Sequence, residues 1–174
     1  MEKLQVVIHH SASSETTTVG QISEWHRTKN WGSVKAPAYC KKNEAGNYAQ
    51  YHYVINDTGV HKNSESEHLW HCGIENAESI GVCLCGDYRF KPISLAQKAT
   101  LEALLDDIRK RHPITSIKGH MECKGATTEC PALLMNFVYY YKEHMELEKQ
   151  VESLTKKLIG LLMEKVARLR KLLK

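Results

Sequence analysis

The sequence lacks any long apolar run. Met1-Glu2-Lys3 leads directly into a short strand-like segment, with no apolar leader and no span of the roughly 20 residues a bilayer requires. The expectation is a protein made and held in the cytosol until something else releases it. The chain also lacks a Cys-x-x-Cys pair, so its six cysteines do not suggest the knuckles of a closed structural metal site. A disulfide framework has little support either, because no secretion signal is visible and Cys83 and Cys85 alternate along one apparent strand. Cys40, Cys72, Cys83, Cys85 and Cys123 are expected to be free thiols, several of them buried as small hydrophobes. A Cys40–Cys72 bridge is the alternative. No motif pairs two carboxylates in the way glycoside cleavage requires.

At 174 residues the chain holds one ordinary domain with a real core, and 42% apolar with 25% charged residues excludes wholesale disorder. The net charge of +4 is unevenly placed: residues 1–142 carry 16 Lys/Arg against 15 Asp/Glu, and residues 143–174 carry 8 against 5. Basic character therefore belongs to the end of the chain. The domain has no basic stripe and the tail no aromatics, which excludes a nucleic-acid partner.

Leu4–His9 is rich in β-branched residues and reads as a buried strand. Thr18, with Gln21 three residues on, is a capping-box signature for a helix through Ile22, Trp25 and His26, on which Trp25 reads as core. Residues 32–50 read as a long loop. Tyr51–Asn56 and Val60–Lys62 flank Asp57-Thr58-Gly59 as a hairpin, and Ile80–Cys85 is another strand. Ser94 and Gln97 open a helix whose apolar face includes Leu95, Leu101, Leu104, Leu105 and Ile108, ending near Pro113. Ile114–Ile117 is a short strand. Strands alternating with helices predict an α/β fold, a central mixed sheet flanked by helices.

Three distant residues share a chemistry. His9 closes the first strand, His120 follows the last, and Cys130 sits in Thr128-Glu129-Cys130-Pro131. Two imidazole nitrogens and a thiolate occupy three corners of a Zn²⁺ tetrahedron and leave the fourth for water, as in a catalytic site. His10 faces the opposite side of a regular strand and reads as packing. Cys123 also lies near His120 and competes as ligand.

Four blocks bear a resemblance: Val7-Ile8-His9-His10-Ser11-Ala12; Tyr51-His52-Tyr53-Val54-Ile55 with Asp57-Thr58-Gly59; His71 through Ser79-Ile80-Gly81-Val82; and Gly119-His120 to Thr128-Glu129-Cys130-Pro131. Over roughly residues 3 to 141 the chain resembles the zinc N-acetylmuramoyl-L-alanine amidases, which include amidase-type phage lysozymes and animal peptidoglycan-recognition proteins. The resemblance implies His9, His120 and Cys130 as zinc ligands. It implies Tyr51 as a catalytic phenol, Thr128 as a weaker oxyanion donor, and His71 and Asn76 as substrate contacts. Trp31 is a further candidate for stacking on substrate, with Trp25 and Trp70 as less favoured ones. Glu122 stands where many relatives carry an acid, either orienting His120 or merely solvated. Two departures matter: the spacer between His120 and Cys130 is about two residues longer than usual, and Glu78 replaces a customary Asn. The implied activity is hydrolysis of the N-acetylmuramic acid–L-alanine bond of peptidoglycan by a phage-type endolysin, held in the host bacterial cytoplasm until release. The rivals are a peptidoglycan-binding module without catalysis and a helix-driven oligomeric regulator.

From about Glu143 the composition becomes helix-forming, giving a catalytic domain over 1–142 and a basic amphipathic helix over 143–174. Leu147, Val151, Leu154, Leu158, Leu162, Val166, Leu169 and Leu173 form one helical stripe with a stutter. Packing on the domain, a homo-oligomer, and binding to an anionic membrane or outer-envelope surface are all open to it.

Overall fold

A computed structural model describes residues 2–28 and 41–172. Five strands form one sheet: β1 (Gln5–His10), β2 (Tyr53–Asn56), β3 (Gly59–Lys62), β4 (Ser79–Leu84) and β5 (Ser116–Gly119). Their order is β3-β2-β4-β1-β5. Only the β2–β3 pair is antiparallel, so the sheet is mixed. Its central strands are buried on both faces, as parallel strands covered by helices must be, and their Val/Ile-rich sequences follow from that. Val6, Val7, Ile8, Ile80, Val82 and Leu84 are fully buried.

Helix α1 (Val19–Thr28) starts on the capping box: the Gln21 N–H donates to Thr18 Oγ1 (3.2 Å) and the Thr18 N–H to Gln21 Oε1 (2.8 Å). It packs on one sheet face through Ile22, against Val54 and Cys85. Helix α2 (Leu95–Arg111) opens with Ser94 accepting from the Gln97 N–H and lies against β2 and β3. Val54 faces α1, so the alternation of side chains turns Tyr53 and Ile55 to the other face.

Several boundaries move by a residue or two. Tyr51 falls in a bend before β2, and the hairpin loop is Asp57-Thr58, with Gly59 already in β3. Leu95, expected on the apolar face of α2, is 86% exposed because it is the first helical residue, beyond the reach of the sheet. Helix α3 runs without a break from Met135 to Leu172, so helical backbone begins well before Glu143. Residues 1–138 and 139–174 form two compact units. In the second, Leu147, Val151, Leu154, Leu158, Leu162, Val166 and Leu169 are all exposed. Among the described residues no helix is long and apolar enough to cross a membrane.

Candidate active site

The sheet aims its chemistry at the carboxyl ends of its parallel strands, where clefts form in open α/β folds. β1 and β5 pair in register Ile8↔Gly119, so the next residue of each, His9 and His120, emerge side by side, with ring centroids 4.5 Å apart. Gly119 lets the Pro131 segment close onto β5, since a Cβ there would come within 2.7 Å of Pro131 Cδ. The chain then loops back, with the Met121 N–H on the Cys130 carbonyl (2.6 Å), and delivers the Cys130 thiol. One donor atom each from His9, His120 and Cys130 lies within 4.8 Å of the others, close to the spacing of ligands around a tetrahedral metal.

The protonation state of His9 suits a metal ligand. His9 is fully buried, and desolvation, reinforced by His120, holds its pKa well below the usual value, keeping the ring neutral. Its Nδ1 is 4.0 Å from Cys130 Sγ, and its Nε2 is 3.1 Å from His71 Nδ1. A His9 proton on Nε2 donates to His71 and leaves the Nδ1 lone pair free for a cation, as the partner of a metal-bound imidazole should. Burial pushes the Cys130 thiol up to about 12, partly offset by the His10 N–H donating to its sulfur (3.3 Å). A cation held there would reverse that balance and favour the thiolate form.

That assignment also sets the tautomer of His71: where Nδ1 accepts from His9, the proton is on Nε2, a buried donor without a partner among the described residues. Its ring packs on Gly81, where a Cβ would lie 2.7 Å from the imidazole. His52 in turn secures Gly81: its Nδ1 accepts the Gly81 N–H (2.9 Å), so its Nε2–H donates to the Glu67 carbonyl (3.0 Å). Desolvation lowers the His52 pKa to about 3, which preserves this neutral form.

A cleft of about 260 Å³ opens over His120 and Cys130, beside the buried His9, and is lined further by Tyr51, His71, His26, Trp25, Trp70 and the turn at Ser11-Ala12. The Tyr51 ring is 5.0 Å from that of His9. Burial, reinforced by the Cys83 and Cys130 thiols, holds its phenol protonated, and its hydroxyl meets Cys83. A larger hollow of about 680 Å³ lies between α2 and the β2–β3 hairpin. It is built around the Glu65–Arg111 pair, contains no His or Cys, and offers no comparable chemistry.

The remaining sequence candidates take varied places. Thr128 Oγ1 accepts the Cys130 N–H (3.1 Å) and so braces the ligand loop. Glu122 accepts from the Gly119 N–H (2.9 Å), capping the turn that carries His120. Asn76 is buried outside the cleft lining, its Oδ1 accepting from the His71 and Cys72 N–H groups (2.8 and 2.7 Å). His10 also borders the cleft, its Nδ1 accepting from the Tyr88 N–H (3.3 Å). Cys123 packs with Val7 and Cys72, apart from the donor cluster. Cys72, Cys83, Cys85, Cys123 and Cys130 are free thiols, while Trp31 and Cys40 lie outside the described residues.

Trp25 departs from expectation. Read as core, it is 44% exposed and borders the cleft, as does Trp70 at 39%. On α1 the buried face passes through Ile22, Ser23 and His26, which leaves Trp25 at the rim. His26, placed on this helix by the sequence but given no role there, belongs to the site. It is buried beside Tyr51 with ring centroids 5.1 Å apart, its Nδ1 accepting from the Gln50 N–H (2.8 Å). Its i+4 spacing from Ile22 was the one available signal.

The fold and this arrangement of donors define a class. The N-acetylmuramoyl-L-alanine amidase family model matches residues 3–133, and the chain belongs to that family. The endolysin of Thermus scotoductus bacteriophage Ph2119 is similar in structure, with TM-score 0.61 and 21% identity over 77% of this chain and 80% of that one. The endolysin amidase LysCS from Clostridium intestinale gives TM-score 0.60 and 21% identity over 76% of each chain. Drosophila PGRP-LB gives 0.58 and 18% over 76% of each. No curated protein sequence matches.

Proposed function

We propose that this chain is a zinc-dependent N-acetylmuramoyl-L-alanine amidase that cuts peptidoglycan between the lactyl carbonyl of N-acetylmuramic acid and L-alanine. The observation that carries the reading is the convergence of donor atoms from His9, His120 and Cys130, the last two lining a cleft that also holds Tyr51. When bound there, zinc would polarise the scissile carbonyl and acidify a water toward neutrality.

The chain's own residues do the rest. His71 fixes the His9 tautomer, and its unpaired Nε2–H is a donor that a substrate oxygen satisfies. Tyr51, kept protonated, exchanges its Cys83 partner for the oxygen on which charge develops. Trp25 and Trp70 offer apolar faces for sugar or peptide. Retention of all three ligand residues favours catalysis over a binding-only module. Digestion of purified peptidoglycan is expected to give stem peptides beginning with L-alanine, lost on chelation. Intact muropeptides from a zinc-loaded sample would favour the binding module.

The same proposal places the protein in the host bacterial cytoplasm until release, as a phage-type endolysin. It assigns the helix beyond residue 143 to an anionic envelope surface. Between 153 and 174, seven basic residues face Glu164 alone, next to an exposed apolar stripe. Reversing Lys165, Arg168, Arg170 and Lys171 to Glu should weaken binding to phosphatidylglycerol vesicles by at least about 100-fold, at roughly 1 kcal/mol per basic residue. Unchanged vesicle binding, or a stable salt-insensitive oligomer, would contradict the assignment.

A further inference from the structure

We propose that Cys72 and Cys123 form an oxidisable dithiol, which a disulfide oxidant converts to a cross-link tying the His71 segment to the turn that follows His120. The two thiols pack together over Val7 of β1, with Ala126 beside them. Cys72 follows His71 directly, and Cys123 ends the short turn His120–Glu122. The cross-link therefore joins loops on either side of β1 that both carry cleft residues.

The remaining described cysteines are otherwise committed. Cys130 stands among the metal donors. Cys83 meets Tyr51, and Cys85 packs under α1 and contacts the Thr17 carbonyl. Among the described cysteines, Cys72 and Cys123 share one buried cluster. Their proximity lowers the Cys72 thiol and raises that of Cys123, and Ser79 Oγ lies 3.0 Å from Cys72 Sγ. Cys72 is thus the better first nucleophile.

The chemistry balances with any low-molecular-weight or protein disulfide as oxidant. The Cys72 thiolate attacks one sulfur of the oxidant and expels a thiolate. The Cys123 thiolate then attacks Cys72 Sγ in the mixed disulfide and expels the second. Two protons and two electrons leave the protein pair, and the oxidant is reduced to two thiols. Both residues are nearly buried, at 2% and 5% exposure, so exchange awaits opening of the turn, whose outer residues Met121, Glu122, Lys124 and Gly125 are exposed. The closed loop of roughly 50 residues would restrict the unfolded chain substantially.

The test uses full-length, zinc-loaded protein incubated with oxidised glutathione, then quenched, alkylated in denaturant and mapped by mass spectrometry. A Cys72–Cys123 cross-linked peptide is expected, with Tm raised by roughly 5 °C or more and restored by dithiothreitol. Cys72→Ala and Cys123→Ala should each abolish both the cross-link and the shift. Alkylation of both residues, glutathione adducts without a cross-link, or pairing of either with another cysteine would overturn the proposal. Should either alanine variant fail to fold, the peptide map of the unmodified protein still decides.

Discussion

Cys130→Ala is expected to lose bound zinc and to lower amide hydrolysis by more than about 1,000-fold, while the fold persists. The thiol is one of only three donors in the cluster, and two imidazoles alone do not hold a catalytic metal tightly. Removing a single buried sulfur costs little packing, about 1 kcal/mol, so circular dichroism should remain that of the unmodified protein. Cys123→Ala is the matched control. Its side chain packs with Val7 and Cys72, so zinc content and activity should be retained. Full activity in Cys130→Ala together with loss in Cys123→Ala would reverse the ligand assignment. Zinc content by mass spectrometry and initial rates on purified peptidoglycan read both.

Tyr51→Phe should lower kcat by about 100- to 1,000-fold with KM and zinc content nearly unchanged. The ring lies 5.0 Å from His9 at the cleft edge, so phenylalanine keeps its packing and loses only the hydroxyl. A donor needed only as charge develops lowers kcat, whereas a donor that binds the ground state raises KM. The phenol's pKa lies well above the usual value through burial, so it remains a proton donor throughout the neutral range. A variant with unchanged kcat would reduce Tyr51 to a packing residue of the Cys83 wall. A loss of zinc would make its role structural.

The donor set was readable because parallel strands end where clefts form and His9 and His120 both stand at such ends. Register then made them neighbours, which no spacing along the chain reveals. The choice between Cys130 and Cys123 was open in the sequence, since both follow His120 in one loop. Folding separates them, because Cys123 turns inward onto Val7 while the loop carries Cys130 back to His9. Trp25 was misread for a simple reason: an aromatic on an amphipathic helix usually packs inward, but this helix spends its inner face on Ile22 and His26. The His9–His71 pairing joins residues 62 positions apart through side-chain nitrogens, and periodicity has no bearing on it. Asn76 occupies a recognisable motif position, yet its oxygen is given to two backbone N–H groups of the loop that carries His71.

Zinc-dependent amide hydrolysis at His9, His120 and Cys130 is tested most directly by titrating metal and activity in one sample. Protein stripped with a chelator would receive zinc in steps, with new L-alanine amino termini on peptidoglycan stem peptides counted at each step. The expected result is a linear rise that saturates near one zinc per chain, absent throughout in Cys130→Ala. Hydrolysis that is independent of zinc, or restored equally well in Cys130→Ala, would contradict it.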